Sequence, residues 1–180
     1  MKKISLLLLA LLGSAVLLSS CHKDDNKIYF QVGDQSFVTD ASSSDSFEIQ
    51  AGKLAMARGV SDSVKVFADS MINDNTKIAA KLSAVASQNG FMISTTLKPV
   101  DQNNLNALNT LTGVAFDKEY AAIMVTAHGG VLSLYNNAAA ANGVGTPALR
   151  AFAGAQVAGL QTQLILSQRL AQAVSAESGQ

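Results

Sequence analysis

The chain predicts an all-α fold, a four-helix bundle, and three observations carry that expectation. Its apolar residues recur at steps of three and four rather than alternating. Alanine is abundant, tryptophan is absent and only two prolines occur, while strand-favouring alternation of β-branched and aromatic residues is scarce. Turn and cap signals divide the chain into four long segments and one short one.

The first long helix is expected over about 35–58, stopping at Gly59, with Phe37, Ala41, Ser44, Ala51 and Ala55 along one face. Ser61 or Asp62 can cap the second, which runs to Asn89-Gly90 and carries Val64, Phe67, Met71, Ile78, Leu82 and Val85 at helical spacing. Residues 91–100 read as a loop, since Pro99 excludes a continuous helix there. A short helix follows at about 101–111, in the crossover between the second and third long helices, and Thr112-Gly113 ends it. The third long helix is expected over about 114–142, with Phe116, Tyr120, Ile123, Met124, Ala127, Val131, Leu134 and Tyr135 on one side and Asn142-Gly143 as its stop. Gly129-Gly130 is a weak point of about 1 kcal/mol per glycine relative to alanine, or a place for a neighbouring helix to approach closely. Thr146-Pro147 opens the last helix, about 147–176, striped by Leu149, Phe152, Leu160, Leu164 and Leu170. Each stripe needs partners, and a four-helix bundle supplies them.

Ahead of this domain (34–176) lies a targeting segment. Lys2 and Lys3 precede an apolar run from Ile4 to Leu18, about 15 residues, which suits a signal peptide and falls short of the roughly 20 that span a membrane. Leu18-Ser19-Ser20-Cys21 then matches a lipobox, so residues 1–20 are expected to be removed and Cys21 to become an acylated N-terminus. Cys21 is the only cysteine, which leaves it no intramolecular disulfide partner. An ordinary secretory signal or an uncleaved anchor helix are the competing readings. Several acyl chains give stable anchoring where one is marginal. No aspartate follows Cys21 directly, which favours the outer membrane, and the pair Asp24-Asp25 resembles the surface-export signals of Bacteroidetes lipoproteins. Residues 21–33 would form a lipidated tether, containing the apolar patch Ile28-Tyr29-Phe30, and 177–180 a short tail.

Cleavage would take away Lys2 and Lys3 and no acid, leaving 11 of the 13 basic residues against 13 acidic ones. Such a chain carries no basic patch, and nucleic acid is excluded as a partner. No phosphate loop, Gly-x-Ser-x-Gly elbow or internal repeat occurs, and hydrolysis lacks a nucleophile beside the single histidine of the domain, so no catalytic residue is assigned.

Four polar residues fall on the buried faces: Glu48, Asn75, His128 and Gln163, with Asp74 beside Asn75. At about 1.5 Å per residue, Glu48 and Asn75 lie about 17 and 22 Å from the first hairpin, and His128 and Gln163 about 25 and 28 Å from the second. One polar residue per long helix thus falls near mid-bundle, where bundles build metal and cofactor sites. A hydrogen-bonded polar core that fixes packing register is the plainer reading. A weak site for a divalent metal is the other, although amides are poor ligands for transition metals.

At these residues the chain resembles the predicted outer-membrane proteins catalogued as domain of unknown function 4142, which are ferritin-like in fold. The resemblance covers roughly 36–171. It rests on Glu48-Ile-Gln-Ala-Gly52-Lys-Leu-Ala55, Val64-Lys-Val-Phe67-Ala68-Asp-Ser-Met71-Ile-Asn-Asp74, Leu111-Thr-Gly113-Val-Ala-Phe116-Asp117-Lys-Glu-Tyr120, Met124-Val-Thr-Ala-His128 and the stretch from Leu160 onward. It implies a ferritin-like bundle in the envelope and carries over Glu48, Asp74 and His128 as candidate metal ligands, with Asp117 and Tyr120 fixing the start of the third long helix. The family pattern has histidines where this chain has Asn75 and Gln163, so the site it implies is incomplete here. Two functions are expected from these readings: a lipid-anchored, non-catalytic envelope module with an unidentified envelope partner, or a degenerate metal-binding or stress-response protein using Glu48, Asp74 and His128.

Overall fold

The turn signals of the sequence fall where the chain bends. A computed structural model of the protein describes residues 32–177; Cys21, the expected leader, the expected tether up to residue 31 and residues 178–180 lie outside them. The described residues form α1 (Asp34–Arg58), α2 (Asp62–Gln88), α3 (Pro99–Asn109), α4 (Gly113–Ala139) and α5 (Pro147–Glu177), with no strand among them. Two boundaries differ from expectation. Pro99 opens α3 rather than preceding it, because a proline at the first helical position gives up only an N–H that has no intrahelical partner. α4 ends at Ala139, before Asn142-Gly143, and the Val144 amide closes back on the Ala138 carbonyl at 3.1 Å.

α1 packs against α2 and α4, and α5 packs against the same two, so the long helices enclose a common core in the order α1, α2, α5, α4. α3 lies along α1 and α4, inside the single long crossover that joins the α1–α2 hairpin to the α4–α5 hairpin. The crossover is pinned to α1 by serines. Ser43 donates to Asp101 at 2.6 Å and accepts from the Lys98 amide at 2.8 Å, and Ser42 accepts from the Ser94 amide at 3.3 Å. Residues 41–45 of α1 are all buried as a result, although three of the five are serines and one is Asp45.

The apolar core comes in two parts. One, nearer the α1–α2 turn, centres on Phe47, Phe67, Met71, Phe116, Tyr120 and Met124. The other, nearer the α4–α5 turn, centres on Phe37, Leu82, Tyr135, Leu149, Phe152 and Leu160. Asn75, His128 and Gln163 occur between the two sets along their helices, and Glu48 directly follows Phe47, the first-set residue of α1 nearest the second set, at the mid-bundle height their spacing predicts.

Each hairpin turn is held by an aspartate from the other hairpin. Asp117, on α4, accepts from the Val60 amide at 3.2 Å and the Ser61 amide at 2.8 Å in the α1–α2 turn. Asp34, at the start of α1, accepts from the Gly145 and Thr146 amides at 2.6 and 3.0 Å and from the Thr146 hydroxyl at 2.6 Å in the α4–α5 turn. Asp117 therefore fixes the start of α2 rather than that of its own helix, and Ser61 makes no side-chain cap. Gly59 is required there, since a Cβ would lie 2.7 Å from the Ala55 carbonyl and 2.9 Å from Asp117. The close helix approach occurs at Gly52, where a Cβ would stand 2.8 Å from Ile72; at Gly129 and Gly130 nothing lies within 4 Å.

Two stability measurements follow. Asp117→Ala leaves two turn amides without their acceptor and is expected to destabilise the fold by about 1–3 kcal/mol in urea titrations read by circular dichroism. In the same titrations Gly129→Ala is expected to stabilise it by up to about 1 kcal/mol, because the added methyl meets open space inside a helix.

Candidate functional site

Glu48 is the centre of the polar belt. Its position on the buried stripe of α1 leaves its side chain only 2% exposed, and α2 and α4 each answer it. Asn75 donates from Nδ2 to Glu48 Oε2 at 2.7 Å and to the Met71 carbonyl at 3.0 Å. His128 brings Nε2 to 3.5 Å from the same Oε2 and to 3.3 Å from Met71 Sδ, while its Nδ1 sits 2.6 Å from the Met124 carbonyl. The Phe67 ring meets the imidazole edge to face at 5.9 Å between centroids. Three helices are thus joined at one carboxylate oxygen.

Around this centre several polar atoms are buried with no hydrogen-bond partner among the described residues: Asp45 Oδ2, the hydroxyls of Tyr120 and Tyr135, and Gln163 Oε1. Burial raises the Asp45 carboxyl well above the usual aspartate range, and the charge of Glu48, one turn along α1, adds to it. Burial likewise raises both tyrosines; Glu48 contributes at Tyr120, and Asp45 and then Glu48 at Tyr135. Tyr135 thus feels both carboxylates, and Tyr120 that of Glu48. A cleft of about 440 Å³ between α1, α3 and α4 reaches Glu48 from outside, with Asp40 and Asp101 among its walls and Gly130 leaving its floor open.

The expected site residues divide. Glu48, Asn75 and His128 come together. Gln163 is buried at the belt but has no hydrogen bond to them through Oε1, and it lines a groove between α2 and α5 instead. Asp74 is on the outer side of α2, its side chain 46% exposed and 3.6 Å from Lys77. Neighbouring positions on a helix point about 100° apart, so burying Asn75 turns Asp74 away. A divalent ion on Glu48, Asp74 and His128 accordingly does not fit this arrangement, and among the described residues no three His, Cys, Asp or Glu gather as a metal site. Asp45 was the residue the sequence reading passed over; its place three residues before Glu48 on the same helix was the available signal. Met71 was read only as core.

The family model for a domain of unknown function, DUF4142, matches residues 22–170. The chain belongs to this family. No curated protein and no solved structure matches it. In this DUF4142 chain none of the described helices is long and apolar enough to cross a membrane.

The buried acid gives a pH dependence with a definite sign. A carboxyl whose folded pKa is raised makes the folded state hold more protons than the unfolded one between the two pKa values. Its contribution to stability is full below the unfolded pKa and is lost as pH rises through the folded pKa. Asp45→Asn is therefore expected to raise the melting temperature of the DUF4142 domain at neutral pH, with the gain vanishing below the ordinary aspartate range. Asn75→Ala removes the 2.7 Å donor to Glu48 and should destabilise by about 1–3 kcal/mol in denaturant titrations.

Proposed function

We propose that this protein is a bacterial envelope lipoprotein, cut before Cys21 and held on the outer membrane by lipid on that cysteine, whose helical domain is a non-catalytic binding or structural module. The observation that carries this reading is Leu18-Ser19-Ser20-Cys21 at the end of a short apolar run that follows Lys2 and Lys3. The lone cysteine supports it, because acylation gives that thiol a purpose no disulfide within the chain could. The lack of any nucleophile set beside His128 favours binding over hydrolysis.

The domain reads as a ferritin-like bundle. Two hairpins joined by one long crossover support this, as do polar residues projecting into the middle of the core from facing helices. A second reading, a degenerate metal-binding or stress-response protein using Glu48 and His128, is favoured by the 3.5 Å approach of His128 to Glu48. It needs a donor other than Asp74, which faces solvent beside Lys77.

Expression with a labelled fatty acid tests the anchor. The native chain should carry label, start at Cys21 by mass spectrometry and sediment with outer membranes. Cys21→Ser should carry none and leave the membrane fraction. An unlabelled native chain would remove the lipoprotein reading.

A further inference from the structure

The centre of the bundle gathers a carboxyl, a thioether and an imidazole from three helices around His128 Nε2. His128 Nδ1 lies 2.6 Å from the Met124 carbonyl, which can only accept, so Nδ1 carries the ring proton. In the neutral imidazole Nε2 is then a bare lone pair. It faces Met71 Sδ at 3.3 Å and Glu48 Oε2 at 3.5 Å, a thioether and a carboxyl oxygen, both able to donate an electron pair to a metal ion. A protonated Nε2 would donate to Glu48; an unprotonated one stands between two further electron-pair donors from α1 and α2, an arrangement that a cation bound at Nε2 satisfies.

We infer that Met71 Sδ, His128 Nε2 and Glu48 Oε2 form a binding site for one soft, monovalent metal ion of the copper(I) class. The inference rests on the reading of the domain as a binding module and is independent of the anchor.

The spacing suits an ion. Metal–ligand bonds of roughly 2.0–2.3 Å at near-tetrahedral angles separate ligand atoms by about 3.3–3.6 Å, which brackets both contacts. The donor types select the metal, because a thioether favours copper(I), and imidazole binds it too, whereas hard divalent ions seek oxygen. Charge agrees: one carboxylate and one monovalent cation leave the buried centre neutral, while a divalent ion would leave it charged.

The surroundings match what metal ligands require. The Met124 carbonyl fixes the histidine tautomer and ring orientation, and Asn75 holds the carboxylate while also anchoring to the Met71 carbonyl. Phe67 closes one side of the imidazole. The cleft that reaches Glu48 is lined by Asp40, Asp101 and Lys98, the last 3.5 Å from Asp40, and gives an ion a polar route to the site.

The test is titration of the full chain with copper(I), kept reduced by ascorbate, in competition with a chromophoric copper(I) chelator, together with copper K-edge absorption spectra. A Cys21→Ser background removes the only thiol, so the outcome does not depend on whether that residue is acylated. One copper per chain is expected, with a sulfur scatterer beside nitrogen or oxygen. Zinc in equal amount should not displace it. Met71→Leu conserves volume, so the fold should persist by circular dichroism while affinity falls at least about tenfold and the sulfur signal disappears. His128→Gln should lose binding, and Asp74→Ala should keep it. Failure to retain copper, or a sulfur signal and affinity unchanged by Met71→Leu, overturns the site. So does a copper-free chain whose His128 shows a protonated Nε2 in nitrogen-15 spectra at neutral pH.

Discussion

A carboxylate taken out of water in the middle of a helical bundle has to be met by partners from the surrounding helices, and Glu48 imposes that requirement here. Leaving it unpaired would cost several kcal/mol, far more than one apolar contact returns. Asn75 from α2 and His128 from α4 therefore have to arrive at one height, and the sliding of three helices is fixed by that meeting. The apolar residues then sort into one set on each side of the belt. Apolar packing alone tolerates small shifts of register; a hydrogen bond of 2.7 Å to a buried charge does not.

Helix identity and the height of the polar belt were legible in the sequence because both follow from periodicity and from rise per residue. Direction was less legible. A one-residue step turns a side chain by about 100°, so Asp74 and Asn75 could be told apart only by which of them continues the Met71-to-Ile78 stripe, and the family resemblance drew attention to both. Gln163 continues its stripe too, yet a buried position facing α2 does not guarantee reach to Glu48 on the opposite helix. Met71 escaped because methionine on an apolar stripe normally means packing, and only the 3.3 Å contact to His128 gives its sulfur another meaning.

The serine run of α1 shows a different limit. Of Ser42, Ser43, Ser44 and Asp45 only Ser44 falls on the apolar stripe of the sequence, but α1 has neighbours on three sides: α2, α4 and the crossover with α3. Small hydroxyls let the crossover lie close and supply the hydrogen bonds that an irregular backbone needs when buried. The same polarity that lowers the amphipathic contrast of α1 is what lets it occupy that position. Pro99 behaves similarly, excluded from a helix interior and for that reason suited to a helix start.

The exchange of aspartates between hairpins has a mechanical consequence. Tension applied through the N-terminal segment enters the domain at the first residue of α1, where Asp34 grips the backbone of the opposite hairpin through Gly145 and Thr146. A pull there cannot peel α1 away turn by turn without first breaking three hydrogen bonds at once. Part of the load passes into the α4–α5 pair, and Asp117 ties that pair back to the far end of α1. A load entering at the start of α1 is thereby shared between both hairpin turns.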